Sequence, residues 1–381
     1  MDDNNTDDLN IEFYIRFIEP FESQKQFEKY IMYCVVSLFS LIIIIGFFGN
    51  LLVILVAIQK KMRNSTNTLI IGLACSDLMF LIFCVPITAI TYVVPQWILP
   101  IWTCKLVYYL QHASAYSSVW TLTLMAGDRY LAVCHPVCSI SIRNSKNAFL
   151  SLIIINFIIL ISQIHVAAGH GIYDYKLIIE NRSTCAMERI AYGTASIAET
   201  RIYYFSFNIF GYVIPLAITC VLYFYMLRRL WHRPGGYKQS STKTHHRTQS
   251  ENTRAKKKAT KLILIVVVIW AFCWLPFNLV SMLSGIVYPS TVTQLWGKFA
   301  TVCTVAAQIL AYANSCLNPI LYALISESYR KGFISVLKMG RLPPTQWRIS
   351  QLNNEDASYY RDRSVYLNTS SRNRPSYTDV R

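Results

Sequence analysis

The sequence predicts an all-α membrane protein: a seven-transmembrane helix bundle with a short amphipathic eighth helix. Three observations carry that expectation. Seven apolar segments, at about residues 31–58, 67–94, 101–134, 147–168, 202–230, 258–287 and 299–325, are each long enough to cross a hydrocarbon core ~30 Å thick. Charged residues are 15% of the 381, against about 25% in a soluble domain. The net charge of +16 would suit a nucleic-acid partner, but the basic residues gather in alternate loops. That is the pattern of membrane orientation, so no nucleic-acid partner is expected.

Residues 1–30 read as an extracellular tail, with eight acids (Asp2, Asp3, Asp7, Asp8, Glu12, Glu19, Glu22, Glu28) against Arg16, Lys25 and Lys29. So acidic and polar a start is no cleavable signal peptide, and the first span would serve as its own membrane signal. Lys60, Lys61 and Arg63 follow the first span, Arg143 and Lys146 the third. A dense basic run from Arg228 to Lys261 separates the fifth and sixth, and Arg330, Lys331, Lys338 and Arg341 follow the seventh. The loops at 95–100 and 288–298 carry one charge, Lys298, and the loop at 169–201 balances its acids with its bases. An odd number of spans then leaves the N-terminus outside and the C-terminus in the cytosol, as in a multi-pass plasma-membrane protein. Residues 31–340 form the membrane domain and 341–381 a polar cytoplasmic tail. The third cytosolic loop, 231–257, is basic and contains Pro-Gly-Gly. Between seventh span and tail, Ser326 to Lys338 alternates apolar and basic residues, the pattern of a helix lying on the inner membrane face.

Within the spans a few residues break the apolar pattern. Asp77 sits mid-span in the second segment, where a carboxyl group is costly and therefore a functional candidate; the plain alternative is a neutral acid that braces packing. Asn50, Ser118, Asn314, Ser315 and Asn318 lie inside other spans, and oxygen ligands around one carboxylate suit a small hard cation or a water cluster. The third segment ends in Leu124-Met-Ala-Gly-Asp-Arg-Tyr-Leu-Ala-Val-Cys-His-Pro136. Cys104 and Arg129 are 25 residues apart, roughly 37 Å of helix, so they fall on opposite membrane faces. Pro215, Pro276 and Pro319 interrupt the last three spans, each removing a backbone donor. Two of them stand in Phe272-Cys-Trp-Leu-Pro276 and Asn318-Pro-Ile-Leu-Tyr322.

On the Asp128-Arg129-Tyr130 motif, these two proline motifs and Trp97, the chain resembles the rhodopsin-like (class A) G-protein-coupled receptors over roughly residues 31–340. Within that family it is most similar to the allatostatin-A and galanin receptors. This rests on Cys84-Val-Pro-Ile-Thr-Ala89, Ala132-Val-Cys-His-Pro-Val137 with Ser139 and Arg143, His170-Gly171, Leu310-Ala-Tyr-Ala-Asn-Ser315 and Ser326-Glu-Ser-Tyr-Arg-Lys331. The resemblance implies coupling to a heterotrimeric G protein of Gi/o type, with arrestin and receptor kinases as further partners. It assigns activation to Asp128, Arg129, Tyr130, Tyr223, Trp274, Pro276, Asn318, Pro319 and Tyr322. It implies a sodium site at Asp77, Ser118, Asn314 and Asn318, with no other cofactor. Cys104 and Cys185 are the pair it would join, unpaired burial being the alternative; the other cysteines sit mostly in apolar runs. Asn4 and Asn181 begin outer glycosylation sequons, though Asn64 and Asn368 match the same pattern on the cytosolic side.

The chain departs from the family in several places. Asn156 stands about where a fourth-helix tryptophan is usual, and that helix lacks proline; Trp270 replaces a phenylalanine one turn before Trp274. Lys256 lies where some members carry an acid, leaving Asp128 as the nearest partner of Arg129. Asn278 replaces the histidine of galanin receptors, and no cysteine follows Phe333 for a palmitoyl anchor.

Other functions fit less well. A transporter would need a line of charges through the spans, and the acids largely end at Asp77 and Asp128. An enzyme would need a His/Ser/acid or metal-spaced cluster, and none is present. A light sensor would need a lysine within 299–325, and a monoamine receptor an acid within 104–127; both are missing. The expected pocket is Gln111, His112, Tyr116, Trp274, Asn278 and Tyr312. Aromatic and neutral groups of that kind suit a C-terminally amidated neuropeptide, a lipid being the alternative.

Overall fold

In a computed structural model, residues 19–177, 180–231, 243–287 and 289–339 are described. They form eight principal helices and one β-hairpin: α1 (Glu19–Ala57), α2 (Ser65–Val93), α3 (Ile101–Cys134), α4 (Ser145–Gly169), α5 (Ile197–Arg229), α6 (Lys243–Val287), α7 (Pro289–Ile325) and α8 (Glu327–Met339). Strands β1 (His170–Leu177) and β2 (Glu180–Met187) lie between α4 and α5. All seven expected spans and the expected short helix appear.

By length and apolarity, six of the helices could each cross a membrane. The seventh, α3, is more polar because it is the central helix. It packs against α2, α4, α5 and α6, so Ser114, Ser117, Ser118, Thr121 and Asp128 meet protein rather than lipid. Helix α4 is the opposite case, with Phe149, Ile153, Phe157 and Ile161 exposed on its surface.

Local chemistry sets the helix ends. Asn64 and Asn144 cap α2 and α4, each accepting from the backbone N–H three residues on at 2.8 Å. Ser196 and Glu199 form a reciprocal capping box at the start of α5. Two helices widen into a π-helical turn, at Phe80–Cys84 in α2 and Ile209–Val213 in α5. Each turn lies just before a proline, Pro86 or Pro215. A proline ring clashes with the carbonyl four residues back; here that is Ile82 or Gly211, each inside the widened turn. Gly297 bends α7 with φ 47°, a conformation that favours glycine.

Two features differ from the sequence reading. The first helix starts at Glu19 rather than near residue 31, because the polar turns before Tyr30 continue the helix beyond its apolar part. The charged loop before α5 folds into an antiparallel hairpin pairing Ile172 with Cys185. Cys104 of α3 and Cys185 of β2 are disulfide-bonded, with Cα atoms 5.6 Å apart. At the hairpin's start a side chain at Gly171 would collide with Glu188. His170 is buried there, stacked on Tyr108 at 4.3 Å. Asn4, the side chain of Lys256 and the tail from 341 lie outside the described residues.

Candidate functional site

Under the hairpin, between α2, α3, α5, α6 and α7, lies a cavity of about 400 Å³. Of the six residues expected there, Gln111, His112, Trp274 and Tyr312 line it. Tyr116 is not among the lining residues; its hydroxyl donates to the Ser206 carbonyl at 3.2 Å. Asn278 is not among them either: it is buried, and its amide donates to the Trp274 carbonyl at 2.9 Å. Walls the sequence reading missed come from Phe80, Thr88, Trp97, Tyr203, Phe207 and Gln308. Tyr203 and Phe207 stand four residues apart at the hairpin end of α5, an i, i+4 aromatic spacing that could have pointed to them.

The polar groups are tied into one chain. Gln111 Nε2 donates to Thr88 Oγ1 at 2.8 Å, and Thr88 donates to the Cys84 carbonyl at 2.9 Å. Tyr92 donates to Gln308 Oε1 at 2.6 Å, and Gln308 Nε2 donates to the Tyr312 hydroxyl at 3.0 Å. The Tyr312 ring sits between Phe39 and Phe80, at 5.1 and 4.7 Å. His112 Nδ1 lies 2.9 Å from the Tyr108 carbonyl, so that nitrogen carries the hydrogen and Nε2 keeps a lone pair. Trp274 Nε1 is a buried donor with no partner among the described residues. No carboxylate, lysine or arginine lines the cavity among the described residues. The cavity thus offers aromatic faces, neutral acceptors and an indole donor.

Deeper in the bundle, Asp77 accepts from Asn318 Nδ2 at 2.9 Å. Asp77, Ser118, Asn314 and Ser315 line a cavity of about 10 Å³, roughly the space of one water or small ion. Ser118 Oγ is buried there without a partner among the described residues. Asn50 joins α1 to α7 by donating to the Ser315 carbonyl at 2.8 Å.

At the far end of α3, Asp128 accepts from Ser65 at 2.7 Å and Thr66 at 2.6 Å and pairs with Arg129 at 2.6 Å and Arg143 at 3.0 Å. Arg129 also contacts the Thr66 hydroxyl. Asp128 is therefore the partner of Arg129, as the sequence reading expected, while the grip of Ser65, Thr66 and Arg143 was missed. Tyr130 lies outside that knot, its ring edge-on to His135 at 5.6 Å. Tyr223 and Tyr322 are buried with hydroxyls that find no partner among the described residues, and Tyr322 stacks on Tyr329 at 5.3 Å. Pro276 lies inside α6 two residues after Trp274, and Pro319 lies inside α7 three residues before Tyr322.

The family described as "7 transmembrane receptor (rhodopsin family)" matches the chain over residues 49–322. A galanin-like G-protein coupled receptor of Caenorhabditis elegans, npr-9, is 50% identical over 323 residues, 82% of this chain and 75% of the relative. An allatostatin-A receptor of Bombyx mori is 40% identical over 321 residues, 83% of each chain. Galanin receptor type 1 of Homo sapiens is 32% identical over 304 residues, 79% of this chain and 80% of the receptor.

Proposed function

The chain belongs to the rhodopsin family of seven-transmembrane receptors, and from that premise we propose that it is a G-protein-coupled receptor for an extracellular, C-terminally amidated neuropeptide. The relatives are named as galanin-like and allatostatin-A receptors, which supports the neuropeptide class. The observation that carries the amide reading is the neutrality of the cavity under the hairpin. Its free groups are the lone pair of His112, the Gln111 carbonyl oxygen and the Trp274 indole N–H. A primary amide offers two donors and one acceptor to such a set. A carboxylate offers only acceptors and would be buried there without a cation, which is expensive.

In this reading the hairpin end faces outward, with Asn181 exposed on β2 for a glycan, and the Arg129 end faces the cytosol of a cell bounded by the plasma membrane. Arg129, released from Asp128, meets a G protein of Gi/o type when α6 swings about Pro276. The orphaned hydroxyls of Tyr223 and Tyr322 support a second arrangement in which they are satisfied. Receptor kinases and arrestin act on the polar tail. The receptor has no enzymatic chemistry of its own. Asp77, Ser118, Asn314 and Asn318 would hold a sodium ion, an all-oxygen set suited to a hard cation. The unpaired Ser118 hydroxyl and the carboxyl group fit that ion, which would supply a fixed positive charge to the resting bundle.

The likeness to allatostatin-A receptors suggests peptides ending in an aromatic-glycine-leucine amide, and the test is a dose–response comparison, in cells expressing the receptor, of peptides ending in Phe-Gly-Leu-amide with their free-acid forms. The amides are expected to be more potent by about a hundredfold, as burial of an unpaired charge requires. Equal potency of acid and amide would overturn the amide reading. Activation by a lipid extract with no response to peptides would overturn the peptide class.

A further inference from the structure

Beside the main cavity lies a second, smaller one of about 90 Å³, between the loop that joins α2 to α3 and strand β2. Ile87, Thr91 and Trp97 line both cavities, so the Trp97 side chain is part of the partition between them. Its indole Nε1 is buried and has no acceptor among the described residues. Buried donors are rarely left so in a folded protein; a turn of the Trp97 ring that uncovers Nε1 toward the cavity would let it donate to an acceptor of the occupant.

The walls of this annex are held in place. The Trp97 backbone N–H donates to Ser183 Oγ at 2.8 Å, the Ser183 N–H to the Pro95 carbonyl at 3.3 Å, and Gln96 Nε2 to the Asn181 carbonyl at 3.1 Å. Arg182, which lines the annex, is clasped by Glu28 of α1 at 2.9 Å and by Glu180 at 3.0 Å. Its charge is thereby answered, and the annex is not a site for an anion. The Asp77 cavity has the space of one water, and this volume is several times larger, enough for a peptide unit with a small side chain.

We propose that the annex is a second ligand subsite. It takes a small residue of the same peptide whose amidated end fills the main cavity, and the backbone carbonyl of that residue accepts from Trp97 Nε1. The inference rests on the peptide reading above. An extended peptide presents a carbonyl every ~3.5 Å, so a chain leaving the main cavity past Trp97 can supply one. Trp97 then reads peptide length and the size of one residue, while the main cavity reads the end.

The experiment uses a nested series of synthetic peptide amides, all ending in Phe-Gly-Leu-amide and lengthened one residue at a time. They are assayed on the wild-type receptor, Trp97→Phe and Thr184→Phe at matched surface expression. Thr184 lines the annex, and a phenylalanine there fills it. On the wild type, potency should rise by about tenfold at one step of the series, the worth of one good buried hydrogen bond. Trp97→Phe and Thr184→Phe should each erase that step, and Thr184→Phe, which lies outside the main cavity, should leave shorter peptides within about twofold of wild type. A step that survives both substitutions, a series with no step, or an equal loss for short and long peptides in Thr184→Phe would each overturn the subsite and leave the peptide reading standing. Failure of every peptide on the wild type would overturn both. If Trp97→Phe does not reach the surface, Thr184→Phe alone decides between survival and loss of the step.

Discussion

His170 is a polar residue placed almost wholly out of water, 1% exposed. Its Nδ1 lies 2.8 Å from the Val166 carbonyl, its ring stacks on Tyr108, and the Tyr203 hydroxyl lies 3.5 Å from Nε2. Burial pushes the imidazole down to about 4, with the hydrogen bond to Val166 pulling the other way. The unfolded imidazole titrates near 6.5, so between these values it binds a proton that the folded one refuses. The stabilisation from neutral His170 is therefore complete above ~6.5 and falls away as pH drops toward the folded value, by at most ~3 kcal/mol. We predict that purified receptor melts at a lower temperature at pH 5 than at pH 7.5, and that His170→Phe, which keeps a ring against Tyr108, narrows the gap. An unchanged gap in His170→Phe would show that other groups govern the acid sensitivity. Asn156 gives the same lesson at a departure from the family pattern. It accepts from Ser117 Oγ at 2.6 Å and donates to the Leu152 carbonyl at 2.8 Å, so an amide in the fourth helix has a partner on both its oxygen and its nitrogen and joins α3 to α4.

Among the elements, the spans were legible because a lipid-crossing helix needs a long apolar run, and the sequence shows seven. The hairpin was not, because the charges and polar residues of β1 and β2 give no clean alternation; its order comes from the Cys104–Cys185 bond and from pairing with the loop before α3. The N-terminal extension of α1 was read as tail for a related reason. Its turns are polar, and they are held by partners distant in sequence: Glu28 by Arg182, and Ser23 by Lys298 Nζ at 2.9 Å. Lys298 also lies 5.5 Å from the Phe27 ring centre. The Arg182 side chain is 10% exposed and that of Glu28 34%, so their pair is shielded more than a surface ion pair and is worth about 1–2 kcal/mol. A double-mutant cycle of Glu28→Gln and Arg182→Gln, read by hydrogen exchange in β2 and the first turns of α1, should show that coupling. Additive effects of the two substitutions would mean that the clasp holds nothing.

At the scale of the whole molecule, three sites lie along α3: the cavity at Gln111 and His112, the small cavity at Ser118, and the knot at Asp128 and Arg129. The motifs made the last two legible, since Asp77, Asn318 and Arg129 are polar residues where lipid or a buried core would exclude them. The first was half legible, because its walls are ordinary aromatics whose convergence only the fold decides; Tyr116 and Asn278 carry the right chemistry and yet do not line it. The Asp77 cavity lies midway along this line, bordered by Trp274 on one side and bonded to Asn318 of the Tyr322 motif on the other. On the sodium reading proposed above, a cation held there would bind the arrangement that keeps the cavity closed around it. It shifts the whole receptor toward that arrangement only by the difference in its affinity for the two. By reciprocity the peptide must weaken sodium by the same factor as sodium weakens the peptide, a coupling of about 1–3 kcal/mol, or roughly 5–150-fold, in systems of this kind. Raising sodium chloride should therefore lower agonist affinity, while N-methylglucamine chloride at equal ionic strength, which supplies the screening without the small cation, should not. Asp77→Asn keeps the shape of the side chain and removes the charge that would hold the proposed ion, so its agonist affinity should be high and independent of sodium. A sodium response that persists in Asp77→Asn, or one that N-methylglucamine reproduces in the wild type, would place the effect outside this cavity.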